Sequence, residues 1–387
     1  MCKALTYIWL LAVLALTAGC SFSEGDECTL TEEQQPMLSI YVYAPAQPLL
    51  TRADVGNTAA TAAEARVHTL QLWVFEHATN TLVAYHQPAS TDALNSEGVV
   101  YQVPVSDDFV RRRPNVDVYV VANVTAANSG HAFDGNTTRD DLEAAMLTAT
   151  GLFGATMLTK TVPADGLPMT ATLKNQPIVG DAPVFRIGDS YSSMATLRLV
   201  RSVSKVRFVF CQATSSAESP KLDINGITLA ANVLPQEEYI FLEGAYTGRN
   251  SHVGTTYIDT TTPLLSASLG TICETTDPTD FIFKQGMENA QEYEERINTA
   301  VSDGHLSEVG AYYLMESDRQ LTGSIGYKVG DTEMTPAVFT MSEAGDFSRN
   351  HTWLVYAFYG GSKLELNVVS TNGWNDRSEE NHETHNW

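Results

Sequence analysis

In several short segments of this chain, apolar and polar residues alternate with a period of two, and this pattern restricts the fold more than any other feature of the sequence. Because successive side chains of a strand point to opposite faces of a sheet, such segments are predicted to be β-strands with one buried face. Every second residue is apolar in the segments 38–42, 70–74, 116–121, 206–210, 353–358 and 364–368. The sequence therefore predicts a protein made mainly of strands.

Helical patterns are few in comparison. Thr138 is predicted to cap a short helix whose third residue is Asp141 and whose apolar face lies within residues 142–149. A second helix is predicted over residues 287–301. Turns are predicted at Asp134-Gly135-Asn136, Asn225-Gly226 and Asn372-Gly373. Since strands outnumber helices and no regular βαβ alternation occurs, the expected fold class is all-β, with antiparallel β-sandwiches and short helical insertions.

The chain is long enough for two domains, since it has 387 residues. Residues 180–193 contain Gly-Asp-Ala-Pro and Gly-Asp-Ser-Tyr-Ser-Ser, which interrupt the alternating pattern before it resumes at Leu197. Segments of this composition commonly separate domains. We therefore expect a boundary near residue 190, with one sandwich over residues 53–190 and a second over residues 191–387 that ends in a polar tail.

The N-terminus carries a predicted targeting signal. A lysine precedes an apolar run over residues 4–16 that is too short to span a bilayer. Residues 16–20, Leu-Thr-Ala-Gly-Cys, resemble a bacterial lipoprotein signal, although Thr17 stands where that pattern prefers Leu. The resemblance implies a signal peptide over residues 1–19, cleavage before Cys20 and acylation of Cys20, for example by palmitate, so that lipid anchors the chain in the outer membrane. An ordinary cleaved secretion signal is the alternative.

Charge and cysteine content restrict the partners and the compartment. The net charge of −23 argues against a nucleic-acid partner, because phosphate groups would be repelled. After Cys20, no stretch reaches the roughly 18 apolar residues of a transmembrane helix. Cys28, Cys211 and Cys273 would then lie in a compartment that permits disulfides. A Cys211–Cys273 bridge and two buried free thiols are both open.

The sequence shows no catalytic or cofactor-binding pattern. It contains no Gly-rich phosphate loop, no nucleophile elbow and no HExxH motif. No Cys or His spacing fits a zinc site, and His382 and His385 are predicted to be solvated residues of the tail. Gly188-Asp189-Ser190 is predicted to be a turn. We therefore expect no enzyme, no catalytic residues, no cofactor and no metal site.

Six longer segments carry a family resemblance. In the predicted first domain they are residues 65–75 (ARVHTLQLWVF), 118–123 (VYVVAN) and 166–170 (GLPMT). In the predicted second domain they are residues 197–206 (LRLVRSVSKV), 312–317 (YYLMES) and 347–351 (FSRNH). Each alone is weakly specific, but in this order behind a lipoprotein signal they resemble the fimbrillin family, the FimA-like and Mfa-like subunits of type V pili.

The resemblance implies both a fold and a function. The fold is a pair of transthyretin-like, Greek-key β-sandwiches. The function is that of a structural subunit of a cell-surface fimbria, exported as an outer-membrane lipoprotein and trimmed by an arginine-specific or trypsin-like protease. Polymerisation with other fimbrial subunits then proceeds by strand exchange and serves adhesion to host or bacterial surface ligands.

One place in the sequence suits such processing. Arg52 and Ala53 lie between the first predicted strand and an Ala/Thr-rich stretch that a protease could grip. Cleavage after Arg52 would release residues 20–52, an acidic tether plus the strand that carries Leu38, Ile40 and Val42. If that strand belongs to the first sandwich, its removal leaves unpaired backbone edges that another subunit's strand can fill.

The C-terminal end gives a different indication. The segment 364–368 alternates well, but residues 375–386 are polar and charged, with Trp374 and Trp387 as the large apolar residues beside them. The resemblance implies a donor strand at the C-terminus, and such a tail is a poor core-filling strand. Together these favour a tip or minor subunit that accepts a strand without donating one. A stalk subunit, an uncleaved anchor subunit and a lipid-anchored surface glycan-binding protein are the alternatives.

Overall fold

The computed structural model describes residues 35–44, 62–95, 98–188, 194–216, 219–241, 253–341 and 349–372. Several predicted features lie outside these residues, namely the signal over residues 1–19, Cys20, Cys28, Arg52, Ala53 and the tail after residue 372. None of the described helices is long and apolar enough to cross a membrane. The same residues contain no group of three or more His, Cys, Asp or Glu side chains that could hold a metal ion.

Strands make up most of the regular structure in the described residues. The strands of the first half are β1 (Met37–Tyr43), β2 (Leu70–Glu76), β3 (Leu82–His86), β4 (Val99–Pro104), β5 (Val116–Ala122), β6 (Met146–Thr148), β7 (Met169–Gln176), β8 (Ile178–Asp181), β9 (Val184–Ile187), β10 (Thr196–Arg198) and β11 (Val200–Arg201). Those of the second half are β12 (Val203–Ala213), β13 (Leu222–Leu229), β14 (Glu237–Tyr239), β15 (Thr262–Leu265), β16 (Glu274–Thr275), β17 (Ser307–Met315), β18 (Thr322–Val329), β19 (Thr332–Glu333), β20 (Ala337–Thr340), β21 (His351–Tyr359) and β22 (Leu364–Asn372).

The described helices are short except for one. They are α1 (Ala62–Ala65), α2 (Asp107–Arg112), α3 (Ala126–Ser129), α4 (Arg139–Ala144), α5 (Ala149–Phe153) and α6 (Ala290–Ser302), with 3₁₀ turns at Gly154–Thr156 and Pro278–Phe281. The prediction of an all-β fold with short helical insertions is confirmed.

Two sheets face each other in the first sandwich. In sheet A, β1 lies between β4 on one side and β9 and β10 on the other, and β8 lies outside β9. Sheet B has the order β11-β7-β5-β2-β3. Their inward side chains form one apolar core, to which the alternating segments 38–42, 70–74 and 116–121 contribute. The alternation that predicts these strands is therefore also the pattern that fills this core.

The second sandwich is built from sheets C and D around a core of its own. In sheet C, β12 lies between β21 and the strands β16 and β17, with β22 outside β21. In sheet D, β18 pairs with β13, β19 and β20, and β15 lies outside β13. Most pairs are antiparallel, but β12 runs parallel to β21. A parallel pair needs a long connection, and here the strands of sheet D lie within it.

Sheets B and C are buried on both faces, which the alternation alone does not predict. On the outer face of sheet B, Trp73, Phe75 and Tyr119 pack in one cluster with residues of α4 and α5. On the outer face of sheet C, Tyr293 and Ile297 of α6 form a similar cover. Strands β5, β12 and β21 are consequently buried at nearly every position.

The helix predicted to start after Thr138 is present but shorter than predicted. Asp141 N–H donates to Thr138 Oγ1 at 3.1 Å, and Thr138 N–H donates to Asp141 Oδ2 at 3.0 Å, which completes a capping box. The predicted extension to residue 149 is wrong, because α4 ends at Ala144 and β6 begins at Met146. β6 pairs with β14 from the second half of the chain, so tertiary pairing overrides the local helical pattern.

The turn predicted at Asn225-Gly226 is wrong, because both residues lie within β13. The register between β13 and β18 shifts between Ile224 and Gly226, which indicates a β-bulge. Glycine is typical of bulges as well as of turns, so the local sequence does not separate the two. The turn predicted at residues 134–136 is present, where Asn136 N–H donates to Asp134 Oδ1 at 2.7 Å.

The chain passes from the first sandwich to the second between Arg201 and Val203. β10 pairs with β1 in sheet A, β11 pairs with β7 in sheet B, and β12 begins sheet C. Residues Pro36–Trp387 group into one compact unit. The predicted domain boundary near residue 190 stays a prediction.

A buried ionic cluster lies where the two sandwiches meet. Glu64 of α1 is 1% exposed, and Lys205 Nζ lies 3.3 Å from its Oε1 atom. The Tyr313 hydroxyl donates to the same oxygen at 2.5 Å, and Arg201 Nε donates to the backbone carbonyl of Glu64 at 3.1 Å. Burial raises the pKa of Tyr313, and the Glu64 carboxylate raises it further, so the proton stays on the hydroxyl. These contacts tie α1 to β11, β12 and β17.

A second buried cluster combines two carboxyl groups with one guanidinium. Arg349 pairs with Glu316 and also donates to the carbonyl oxygens of Tyr239 and Ile240, at 2.7 and 3.0 Å. Glu316 N–H donates to Glu238 Oε2 at 3.0 Å, whereas Glu238 Oε1 has no hydrogen-bond partner among the described residues. Burial raises the pKa of Glu238 well above its usual value, Arg349 opposes that shift, and Glu316 adds to it.

Replacing the Glu238 carboxyl tests this assignment. A carboxyl whose pKa rises on folding makes its full contribution to the free energy of unfolding below its usual pKa of 4.5. That contribution is lost as the pH increases toward the pKa of the group in the folded protein. Glutamine does not titrate, so Glu238→Gln should not show this loss. We therefore expect the free energy of unfolding of the variant, minus that of the wild type, to be larger at pH 8 than at pH 5. Urea unfolding at both pH values measures the difference.

Glu316→Gln is the matched control in the same cluster. It removes the carboxylate that pairs with buried Arg349, so we expect a loss of about 3–5 kcal/mol at both pH values. A Glu238→Gln protein whose stability relative to the wild type is the same at pH 5 and pH 8 would contradict a raised pKa.

A further prediction concerns the junction at α1. Glu64→Gln keeps the side-chain volume but removes the charge beside buried Lys205, so we expect the free energy of unfolding to fall by about 3–5 kcal/mol. Glu333→Gln is the surface control, since its pair with Lys328 is exposed and should contribute at most about 1 kcal/mol. Equal effects of the two variants in urea unfolding would show that the Glu64 cluster does not stabilise the fold.

Candidate functional site

The strand that the sequence predicts to be removable lies inside sheet A and not at its margin. β1 pairs antiparallel with β4 over residues 37–42. On its other side it pairs parallel with β9 over residues 37–39 and with β10 over residues 41–43. β9 and β10 therefore follow one another along the same edge of β1.

Hydrogen bonds continue this pairing beyond the ends of the strand. Val105 N–H donates to the carbonyl oxygen of Pro36 at 2.9 Å, just before β1 begins. Leu199 N–H donates to the carbonyl oxygen of Tyr43 at 2.9 Å, where β1 ends. Both backbone edges of β1 are thus engaged along its length.

The inward side chains of β1 lie in the centre of the first core. Leu38 and Val42 are 0% exposed and Ile40 is 1% exposed. Tyr101 of β4 lies opposite Ile40, and burial raises the pKa of Tyr101, so that its hydroxyl stays neutral. Fully burying each aliphatic side chain contributes about 1.5–3 kcal/mol. The structure therefore places the three predicted residues where their loss would open the core.

The side chains on the other face of β1 are also in close contact with their neighbours, which the sequence pattern does not predict. Ser39 is buried, and Tyr41 packs so closely over Gly98 that a Cβ atom at that position would collide with its ring. The Arg198 guanidinium lies 5.6 Å from the centre of the Tyr43 ring. A segment that replaces β1 must therefore be small at the Ser39 position and can be aromatic beside Gly98.

Sheet A depends on β1 for its continuity. Within the described part of the chain, β4 and β10 pair with no strand other than β1, whereas β9 also pairs with β8. Without β1, β4 would be separated from β9 and β10 by a gap the width of one strand. Exposed strand edges of this kind bind other extended segments.

The predicted processing residues fall in the part of the chain between β1 and α1. Arg52 and Ala53 lie within residues 45–61, which are outside the described residues, as is Cys20. Lipidation at Cys20 and cleavage between Arg52 and Ala53 stay predictions. The described structure fixes the two flanking points, the end of β1 at Tyr43 and the start of α1 at Ala62.

A run of three arginines, Arg111–Arg113, ends the helix α2. Arg112, in the last turn of α2, donates two hydrogen bonds to Glu76, at 2.8 and 3.0 Å. Arg113 caps the helix in the left-handed conformation and donates to the carbonyl oxygen of Gly180 at 2.8 Å. A protease must bind an extended backbone, so this folded segment is a poor target.

The last described strand is an integral part of the second sandwich. β22 pairs with β21 at every position from Leu364 to Asn372, and Leu364 belongs to the core of this sandwich. The alternating segment 364–368 is therefore already paired within its own chain. Any donor segment of this chain must come from other residues.

Cys211 and Cys273 lie in the second sandwich, away from β1. Both are free thiols in this structure, Cys211 buried and Cys273 half-buried. The sequence leaves both a bridge and two free thiols open.

Comparison with known proteins relates the first sandwich to a family. Residues 47–185 match the family model described as major fimbrial subunit protein (FimA). The matched range begins just after β1 and extends into β9, so it covers most of the first sandwich and includes Arg52. No curated protein matches the chain.

Among solved structures, the chain is similar to the tip fimbrial protein Mfa3 from Porphyromonas gingivalis with C-terminal truncation, at 12% identity over 87% of this chain and 99% of that one, with a TM-score of 0.47. It is also similar to putative cell adhesion proteins from Parabacteroides distasonis and Bacteroides eggerthii. Their identities are 13% and 14%, over 88% of this chain and 97% and 96% of theirs, with TM-scores of 0.48 for both.

The three TM-scores lie below 0.5. The FimA match covers the first sandwich, and the all-β fold agrees with it across the described residues. Over residues 47–185, the chain is therefore similar to the FimA family of major fimbrial subunits.

Proposed function

We propose that this protein is a tip or minor subunit of a surface fimbria that is exported as a lipoprotein, cleaved after Arg52 and then joined to a neighbouring subunit by replacement of β1. The observation that carries the proposal is the position of β1. It fills the core of the first sandwich, yet the chain that leaves it leads directly to the predicted cleavage site. An interior strand with a cleavable connection is suited to exchange.

The position of β1 in the core also determines whether cleavage alone releases it. β1 holds ladder hydrogen bonds on both edges and buries three aliphatic side chains, each contributing about 1.5–3 kcal/mol. A cut after Arg52 breaks one covalent bond and leaves the residues of β1 unchanged. The severed segment should therefore stay bound until an incoming strand offers equivalent hydrogen bonds and apolar contacts, which is β-strand addition.

The assignment to a tip or minor subunit is supported by the C-terminal strand. Because β22 is paired along its whole length with β21, the alternating segment 364–368 is committed to the second sandwich. The remaining residues 373–387 are polar and charged except for Trp374 and Trp387. They contain no apolar triplet at alternate positions that could take the places of Leu38, Ile40 and Val42. Residues 364–387 are thus poorly suited to act as a donor strand, whereas the position of β1 suits the chain to accept one.

Processing can be tested on protein recovered from the cell surface. We expect N-terminal sequencing to find Ala53 as the first residue of the wild-type protein. Arg52→Ala should retain residues 20–52 and fail to enter fimbriae, whereas Arg66→Ala, an exposed arginine just after α1, should be processed as the wild type is. An acylated Cys20 on all wild-type molecules would instead favour an anchor subunit or a lipid-anchored glycan-binding protein.

Strand exchange can be tested with a labelled peptide of residues 35–44. After cleavage at Arg52 by an arginine-specific protease, this peptide should displace the severed segment, as measured by native mass spectrometry. A peptide with Ile40→Asp should bind at least about tenfold more weakly, because it places a carboxylate in the apolar core. The uncleaved chain, whose own strand is covalently attached, should take up neither peptide. Equal binding of the two peptides would contradict exchange at this site.

A further inference from the structure

Cys211 and Cys273 are brought together by the pairing of β12 with β16. These strands run parallel, with Gln212 opposite Glu274, so the same register places Cys211 opposite Cys273 one residue earlier. Gln212 N–H donates to the carbonyl oxygen of Cys273 at 3.0 Å, which continues the ladder at this point. Neighbouring strands lie about 4.7–4.9 Å apart, and disulfides join Cα atoms about 4.4–6.8 Å apart.

Both cysteine side chains also belong to the same face of sheet C. Phe210 and Ile272, the residues before them, are both in the core between sheets C and D. Because side chains alternate along a strand, Cys211 and Cys273 point to the opposite face, where Cys211 packs in the cluster under α6. The two thiols are thus opposite each other in register and on the same side of the sheet.

The two thiols differ in their surroundings. Cys211 is fully buried, and its sulfur lies 2.9 Å from the Tyr356 hydroxyl oxygen. Burial raises the pKa of Cys211 to about 11, the Tyr356 hydroxyl lowers it, and the nearby Cys273 raises it. Cys273 is half-buried and therefore accessible to reagents that cannot reach Cys211. The accessible thiol is the one that an external oxidant meets first.

We propose that Cys211 and Cys273 form a cross-strand disulfide when the protein matures in an oxidising compartment. The oxidant is a disulfide of another thiol compound or protein. Cys273 first attacks it as the thiolate, forming a mixed disulfide and releasing one thiol. Cys211 then attacks the Cys273 sulfur and releases the second thiol, so that two cysteine thiols are oxidised and one external disulfide is reduced. The buried thiol reacts before or during closure of α6 over sheet C, while it is still accessible.

Such a bond would join a peripheral segment to the centre of the second sandwich. β16 is only two residues long and pairs with β12 alone, whereas β12 is also paired with β17 and β21. The residues after β16 contribute Phe281, Ile282 and Phe283 to the cluster beneath α6. A disulfide at Cys273 would attach the segment that covers sheet C to the central strand β12. Such a covalent link would stabilise a protein that is exposed at the cell surface.

This inference uses the surface location from the proposed function but does not depend on exchange of β1. Protein recovered from the cell surface is denatured, treated with iodoacetamide without reduction and digested. We expect a linked peptide pair that contains Cys211 and Cys273 and disappears after reduction. Alkylation of both cysteines in the unreduced sample, or a link from either of them to Cys28, would overturn the inference.

Thermal unfolding gives a second measurement on the intact protein. A reductant should lower the Tm of the wild type and of Cys28→Ser, but leave that of Cys273→Ser unchanged. Cys273 is half-buried, so its replacement by Ser leaves the core intact. A wild-type Tm that does not respond to the reductant would contradict the bridge. Neither measurement depends on whether β1 is exchanged. A negative result would therefore contradict the disulfide but not the proposed strand exchange.

Discussion

In the first sandwich, β1 supplies ladder hydrogen bonds to β4 on one side and to β9 and β10 on the other, while Leu38, Ile40 and Val42 fill the core between the two sheets. Hydrophobic burial and backbone pairing coincide in this one strand, so any molecule that displaces it must provide both. In the proposed exchange, that requirement would determine which segments can replace β1. An incoming segment must alternate correctly, be small at the position of Ser39 and extend over the whole length of β1.

The contacts between the sandwiches are independent of that strand. The ionic cluster at the junction is formed by Glu64, Arg201 and Lys205, and a second buried cluster is formed by Glu238, Glu316 and Arg349. All of these residues come after Arg52 in the chain, so the proposed cut leaves the junction unchanged. The proposed exchange of β1 would therefore leave these ionic contacts in place.

Sequence patterns correctly predicted the elements in which the local conformational preference and the tertiary contacts favour the same structure. Alternation identified β1, β2 and β5, and the Thr138 cap identified the start of α4. The patterns were wrong where distant partners decided the outcome. Residues after Ala144 have helical spacing but pair with β14, and Asn225-Gly226 has turn composition but forms a bulge against β18. In both places, hydrogen bonds to strands remote in sequence outweigh the local preference.

The sequence by itself determined the all-β class, the apolar triplet of β1, the two helical segments and the presence of an arginine, Arg52, between β1 and the Ala/Thr-rich stretch. Only the tertiary structure decided that β1 lies inside a sheet with partners on both edges, that β22 is already committed to the second sandwich, and that Cys211 faces Cys273. The physical reason is that periodicity records which face of a segment is buried, whereas strand order and register arise from hydrogen bonds between residues far apart in the chain.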